Sequence, residues 1–220
     1  MMTLSPIRKA ALLAAALALS GCSSESGTGW QQIYDAAKMS FSGSQDSVTL
    51  EQAAAIPYAS IGVRVGDGQE LILVLAADMQ ESKLWTSAAR IAISTRGGRI
   101  ERSSGLPHNL SGSSGGGALS DFADPNARSR DVTRQMDFRD LNLFSLTVKC
   151  HIEPRGADPV TILGTQIKTH RVEETCRSEQ PDWSFTDIFW MDDSGLVWKS
   201  VQHIHPDFDP VTLEILRPPG

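Results

Sequence analysis

The residue best placed to do chemistry is Cys22, at the end of Leu19-Ser20-Gly21-Cys22. Small residues before it let an extended backbone enter a peptidase groove. Cleavage there makes the cysteine the new N-terminus, and its thiolate is the nucleophile that takes a diacylglyceryl group. The preceding residues supply what that reaction needs. Arg8 and Lys9 form a short positive region, and residues 10–19 are apolar without a break. That run is about half the length a helix needs to cross a bilayer. Residues 1–21 therefore read as a targeting peptide outside the fold. Each buried methylene of an attached lipid contributes about 0.8 kcal/mol, so one acyl chain holds only marginally and stable anchoring takes more than one, palmitate among them. An ordinary export signal with a chance cysteine at its end is the rival reading. Agreement of all three parts in order and spacing disfavours it.

Cys150 and Cys176 remain, an even pair in an oxidising compartment, and a disulfide is expected. It closes a loop of about 25 residues and contributes roughly 3–3.5 kcal/mol on the chain-entropy model. Neither cysteine has the Cys-x-x-Cys or Cys-x-x-His setting of a metal or catalytic thiol.

The segment His203-Ile204-His205-Pro206-Asp207-Phe208-Asp209 also looks chemical. Imidazoles two apart on a strand share a face, and carboxylates follow, a set able to ligate zinc. A solvated strand end entering a proline-punctuated loop explains the same residues and is preferred. His203, His205 and Asp207 are thus weak metal candidates, and no metal or other cofactor is expected. Asp192 and Asp193 suggest a glycosidase pair, but adjacent residues in a tight turn diverge, and such carboxylates stand roughly 5–9.5 Å apart across a sugar. Turn chemistry is the better reading, and no catalytic residue is expected.

Trp183, Trp190 and Trp198 offer aromatic faces that stack on the apolar C–H faces of sugars, with Lys199 beside them. Core packing or cross-strand pairing is the competing explanation. Arg64 points away from Val63 and Val65, onto a solvated face or toward a partner. These five residues are the expected glycan or partner contacts. His108-Asn109 lies in a loop, where function tends to sit, yet nothing nearby completes a catalytic set. The Gly/Ser run at 111–117 lacks the Lys-Ser/Thr ending of a phosphate loop.

Removal of residues 1–21 takes two cations and no acid, leaving 18 cationic side chains against 26 acidic, a net charge of −8. Nucleic acid and anionic lipid surfaces are poor partners for such a chain. Residues 23–29 are polar and form, with Cys22, a tether over 22–29. Residues 30–220 suit one domain with a sizeable core.

A helix is expected over 30–39 and another turn of helix over 51–55. Beyond that the pattern is β. Strands are expected over 61–65, 70–76, 84–86, 89–95, 99–103, 144–152, 184–191, 196–202 and 211–216, and a longer strand pair over 160–176 with a bulge or bend at Gly164. Turns fall at 66–68, 97–98, 153–159 and 192–195, and a mobile loop at 103–118. The expected fold is mainly β, an antiparallel sandwich or open barrel with one or two short N-terminal helices.

Three stretches carry a family resemblance over roughly residues 50–216. They are Ile56-Pro57-Tyr58-Ala59-Ser60-Ile61-Gly62-Val63-Arg64-Val65-Gly66, then Gly105-Leu106-Pro107-His108-Asn109-Leu110, then Phe189-Trp190-Met191-Asp192-Asp193-Ser194-Gly195-Leu196-Val197-Trp198-Lys199-Ser200-Val201-Gln202. In this order, behind a lipidation motif, they resemble the YjbF/GfcB family of outer-membrane lipoproteins associated with exopolysaccharide and group 4 capsule operons. The chain departs from the pattern at Ser194-Gly195, where the family has Thr-Gly or similar, and in its elongated 111–117 loop. The resemblance implies a periplasm-facing, non-catalytic accessory of polysaccharide production or export. Its partners would be export or assembly proteins, and glycan. Ser23 rather than Asp after the cysteine resembles the outer-membrane lipoproteins of Gram-negative enteric bacteria. A glycan-modifying enzyme using His203, His205 and Asp207, and a lipid or lipoprotein carrier with an apolar groove, are the alternatives.

Overall fold

Residues of alternating polarity, rich in Val, Ile, Thr and aromatics, build most of this chain into strands. The structure, a computed structural model, describes residues 47–124 and 126–219. The signal, Cys22, the tether and the helix expected over 30–39 lie outside the described residues. The chain enters through α1 (Leu50–Ala54), started by a capping box: Gln52 N donates to Thr49 Oγ1 at 3.2 Å, and Thr49 N to Gln52 Oε1 at 2.9 Å.

The first strands are β1 (Ser60–Val65), β2 (Leu71–Met79), β3 (Ser82–Thr86), β4 (Ala92–Arg96), β5 (Arg99–Ser104) and β6 (Gly112–Gly115). After a 3-10 turn at Leu119–Phe122 come β7 (Arg130–Phe138) and β8 (Leu143–Ala157). A small hairpin follows, β9 (Val160–Ile162) with β10 (Thr165–Ile167). The last strands are β11 (His170–Ser178), β12 (Trp183–Met191), β13 (Val197–Gln202) and β14 (Val211–Arg217).

Twelve strands form one antiparallel sheet in the order β5-β4-β3-β2-β1-β14-β13-β12-β11-β8-β7-β6. The sheet curls until its two end strands meet. Ser103 N donates to Leu110 O at 2.9 Å, and Arg102 Nε to Ser111 O at 3.0 Å, so the sheet is nearly closed into a barrel. Near-closure leaves little unpaired edge. Inward residues such as Ile61, Leu73, Ile93, Phe138, Val148 and Phe185 fill the lumen. On the outside, Ile56 follows α1 and covers Ile72 and Val74.

Three segments differ from the sequence reading. Residues 112–115, expected within a mobile loop, are β6, paired from Gly112↔Asp137 to Gly115↔Arg134. Backbone pairing does not need side-chain propensity, and Gly115, at φ +80°, lies so near Thr133 O that a Cβ would approach it to 2.5 Å. Residues 153–157, expected in a hairpin loop, continue β8. Their turn-like Pro154 and Gly156 flank a bulge, where Arg171 pairs with Gly156 and Val172 with Pro154. The connection is instead 158–169, carrying β9 and β10. Finally, β7 had no sequence counterpart, because Arg130, Asp131, Arg134 and Asp137 mask its alternation.

The hairpin β12–β13 forms as expected, and Asp192 explains why. Its Oδ1 accepts from Ser194 N at 2.9 Å and Leu196 N at 3.1 Å, and its Oδ2 from Trp198 Nε1 at 2.8 Å. Asp192 is turn chemistry. Desolvation would raise its pKa, but these hydrogen bonds and that of the Ser194 hydroxyl outweigh it and hold the carboxyl below the ordinary aspartate range. Cys150 and Cys176 sit directly opposite each other on β8 and β11 and form the expected disulfide, closing a separation of 26 residues.

Candidate functional site

Inside the barrel, four charged side chains face one another across β5, β7, β11 and β12. Arg134 Nη1 lies 2.9 Å from Asp187 Oδ2 and 3.2 Å from Glu174 Oε2. Arg99 donates from Nη2 to Glu174 Oε1 at 3.0 Å and from Nε to Glu174 Oε2 at 3.2 Å. Its Nη1 reaches Gly117 O at 2.8 Å. Glu174 and Asp187 are fully buried and Arg134 is 2% exposed. Burial pushes Arg134 toward losing its proton; Asp187 and Glu174 more than reverse this and hold it charged, above the ordinary arginine range. Such a set persists in a low-dielectric interior only because the charges are paired. Its residues were not singled out from the sequence. The available signal was the inward alternation of Glu174 with Val172 and Cys176, and of Asp187 with Phe185 and Phe189.

The strands run between two ends. At one end the β2–β3, β4–β5 and β12–β13 turns surround a cavity of about 850 Å³. Ile61, Trp85, Ile100, Val197, Leu213 and Ile215 line it, and Arg99 forms part of its wall. Lys83, Arg96, Glu81 and Glu101 stand around its opening.

The opposite end carries the histidines. His203 does not join His205 and Asp207. It follows β13 rather than lying on a strand, and its Nδ1 is 3.2 Å from Asp187 Oδ1, against the buried charge set. His205 turns the other way, placing Nε2 3.2 Å from Asp140 Oδ2, while its Nδ1 accepts from Asp207 N at 3.1 Å. The three expected candidates are thus split by the non-strand backbone after Gln202. His108, Asp140 and His205 do converge, and the imidazoles stack 4.6 Å apart. However, the Asp207 amide fixes His205 as the Nε2–H tautomer. That nitrogen donates to Asp140 and has no lone pair for a metal. Desolvation would raise the Asp140 pKa; the hydrogen bonds from His108 and His205 outweigh it and hold the carboxyl low.

The five expected glycan or partner contacts fall in three places. Trp183 packs at the histidine end against Phe185 and Phe138, with centroids 4.1 and 5.9 Å away. Trp198 lines the cavity. Trp190, Lys199 and Arg64 share the outer face. Pairing there runs Glu214↔Lys199↔Trp190↔Arg171 across four strands. Arg171 and Lys199 each lie over the Trp190 ring, 5.7 and 5.9 Å from its centroid, and Trp190 Nε1 donates to Asp158 Oδ2 at 2.8 Å. Lys199 also pairs with Glu214 at 2.7 Å. The indole is held by cation–π partners of its own sheet and by a hydrogen bond to the 158–169 connection.

A nearly closed antiparallel sheet around a partly filled lumen, with paired charges inside, defines a small barrel-like β domain as the class. Comparison with known proteins gives the family. A model described as group 4 capsule polysaccharide lipoprotein gfcB, YjbF, matches residues 23–216, and the chain belongs to that family. It is 26% identical over 211 residues to the uncharacterized lipoprotein GfcB of Escherichia coli (strain K12), covering 92% of this chain and 95% of that relative. Its fold is similar to the crystal structure of the hypothetical lipoprotein YmcC from Escherichia coli (K12). The TM-score is 0.71 at 24% identity, covering 86% of this chain and 97% of that one. Membership makes this a lipoprotein of a capsule-associated family. Among the described residues, no helix is long and apolar enough to cross a membrane.

Proposed function

We propose that the protein is a non-catalytic accessory of exopolysaccharide or capsule production. In this reading it is held at the outer membrane by lipid on Cys22, with its domain facing the periplasm and its partners among export or assembly proteins. The observation that carries this reading is the match of the capsule-lipoprotein family over residues 23–216. The chemistry of the fold supports it. The interior charges are bound to one another, and His203 and His205, suggested as an enzyme's acid, base or metal ligands, bond different carboxylates, Asp187 and Asp140. The negative chain steers away from anionic surfaces and leaves neutral glycan or protein as the polar partner.

The test is polysaccharide output, cell-bound and released, from a deletion strain complemented with wild type or Cys22→Ser. Loss of polymer restored only by the lipidated form is the expected result. Unchanged polymer in the deletion strain, under conditions where wild type makes it, overturns the reading.

A carrier role is the second reading, favoured by the cavity at one barrel end.

A further inference from the structure

The inner part of the cavity is apolar, and its polar groups are already satisfied. Its inner walls are Ile61, Ile100, Leu213 and Ile215, all under 9% exposed, with the Trp85 ring beside them. The polar groups at that depth have partners. Thr95 Oγ1 accepts from Trp85 Nε1 at 2.9 Å, Ser200 Oγ from Gln202 Nε2 at 2.8 Å, and Arg99 is spent on Glu174 and Gly117 O. A saccharide placed there would bury hydroxyls without partners, at a cost of about 1–3 kcal/mol for each group. Hydrocarbon loses nothing by the same move and gains about 0.8 kcal/mol for each methylene. A volume of about 850 Å³ lies within the range of sites that enclose small ligands.

The opening has different chemistry. Lys83 and Arg96 stand there with Glu81 and Glu101, two cations and two acids, and the Arg96 side chain is 53% exposed. Arg96 bonds both Glu81 and Glu101, and Lys83 reaches Asp78 at 3.0 Å. With Asp78 counted, a purely anionic head meets more acids than cations. A head carrying both a phosphate and an ammonium meets a complement for each.

From these observations we infer that the cavity takes one acyl chain of a zwitterionic glycerophospholipid, its head among Arg96, Lys83, Glu81 and Glu101. The inference rests on the carrier reading, which it deepens, and its failure would leave the polysaccharide role untouched.

The test uses the mature chain, residues 22–220, with Cys22→Ser so that no covalent lipid competes and Trp30→Phe so that only four indoles remain. Dibromostearoyl-lysophosphatidylethanolamine is titrated below its micelle concentration while tryptophan emission is followed. Bromine quenches indoles it touches, and Trp85 and Trp198 line the cavity whereas Trp183 and Trp190 do not. Saturable quenching is expected, lost in the Trp85→Phe/Trp198→Phe double variant. Binding should weaken about tenfold or more in Leu213→Trp, which fills the wall. A large excess of maltohexaose should not displace the lipid. Absence of saturable quenching overturns the inference, as does quenching that survives the double phenylalanine change. Equal affinity for free dibromostearate overturns the headgroup assignment. Where Leu213→Trp fails to unfold cooperatively, the phenylalanine variants alone decide.

Discussion

Arg134 on β7 and Asp187 on β12 lie 53 residues apart in the chain and 2.9 Å apart in space, within a lumen that leaves Asp187 fully buried. The contact joins strands that are not neighbours in the sheet, since β8 and β11 lie between them. It therefore braces the barrel across its interior rather than along its wall. Glu174, on β11, completes the brace from the intervening strands.

Removing one member should expose that arrangement. Arg134→Met leaves Asp187 without its cation and Glu174 with Arg99 alone. A loss of about 3–5 kcal/mol is expected from breaking a buried pair at one partner. Urea unfolding of the two proteins at neutral pH measures it, and a loss below 1 kcal/mol would show the brace to be dispensable.

Glu70 should respond to pH in the opposite sense to most carboxylates. Burial raises its pKa, the Val48 amide opposes that, and the Glu214 charge adds to the rise. Its folded value thus exceeds its unfolded one. Its contribution to stability is fully present below the ordinary glutamate value of about 4.3 and fades as pH climbs through the raised folded value. Glu70→Gln keeps an acceptor for Val48 N, which lies 2.8 Å from Oε2. The variant should melt higher than wild type at neutral pH, and the gap should close as pH falls to that ordinary value.

Asp192 titrates the usual way. Its lowered pKa contributes stability above the ordinary aspartate value, lost as pH falls through the depressed folded value. Asp192→Ala removes the acceptor of the β12–β13 turn and of Trp198 Nε1. A loss of roughly 1.5–3 kcal/mol is expected, as for hydrogen bonds to a charged group, together with a red shift of Trp198 emission. Melting at neutral and at strongly acid pH should show the difference from wild type shrinking in acid.

The disulfide spans 26 residues and joins strands that already pair. Cys150→Ala with Cys176→Ala should lower stability by about 2–4 kcal/mol while the sheet still forms. Far-ultraviolet circular dichroism and urea unfolding, run together, separate that result from loss of the fold.

Much of the sheet was legible because its signals are local. Val63, Leu73, Ile93 and Phe189 alternate with outward residues, and Gly66, Gly97 and Gly195 mark turns where φ is positive. Strand β7 was hidden because alternation is read by hydrophobicity, and Arg134 is an inward residue that looks outward. Residues 153–157 misled for the converse reason. Pro154 and Gly156 are turn formers, but a bulge on β8 accommodates both without ending the strand. His203 and His205 were read as sharing one face, which holds only on a strand, and β13 ends at Gln202.

By itself, the sequence determined the lipidation motif expectation, the family resemblance, the β class, the cysteine pair and the Asp192 turn. The motif, the turn and the β class are written in neighbouring residues or in a periodicity of two, the cysteine pair in an even count, and the resemblance in three stretches taken in order. Tertiary structure alone decided that the sheet curls until β5 meets β6 and that Arg99, Arg134, Glu174 and Asp187 meet inside it. It also decided that Trp183, Trp190 and Trp198 part company, and that a cavity remains at one end. The reason is physical. Closure and cross-lumen pairing join residues tens of positions apart, and whether an inward charge is tolerable depends on what stands opposite it.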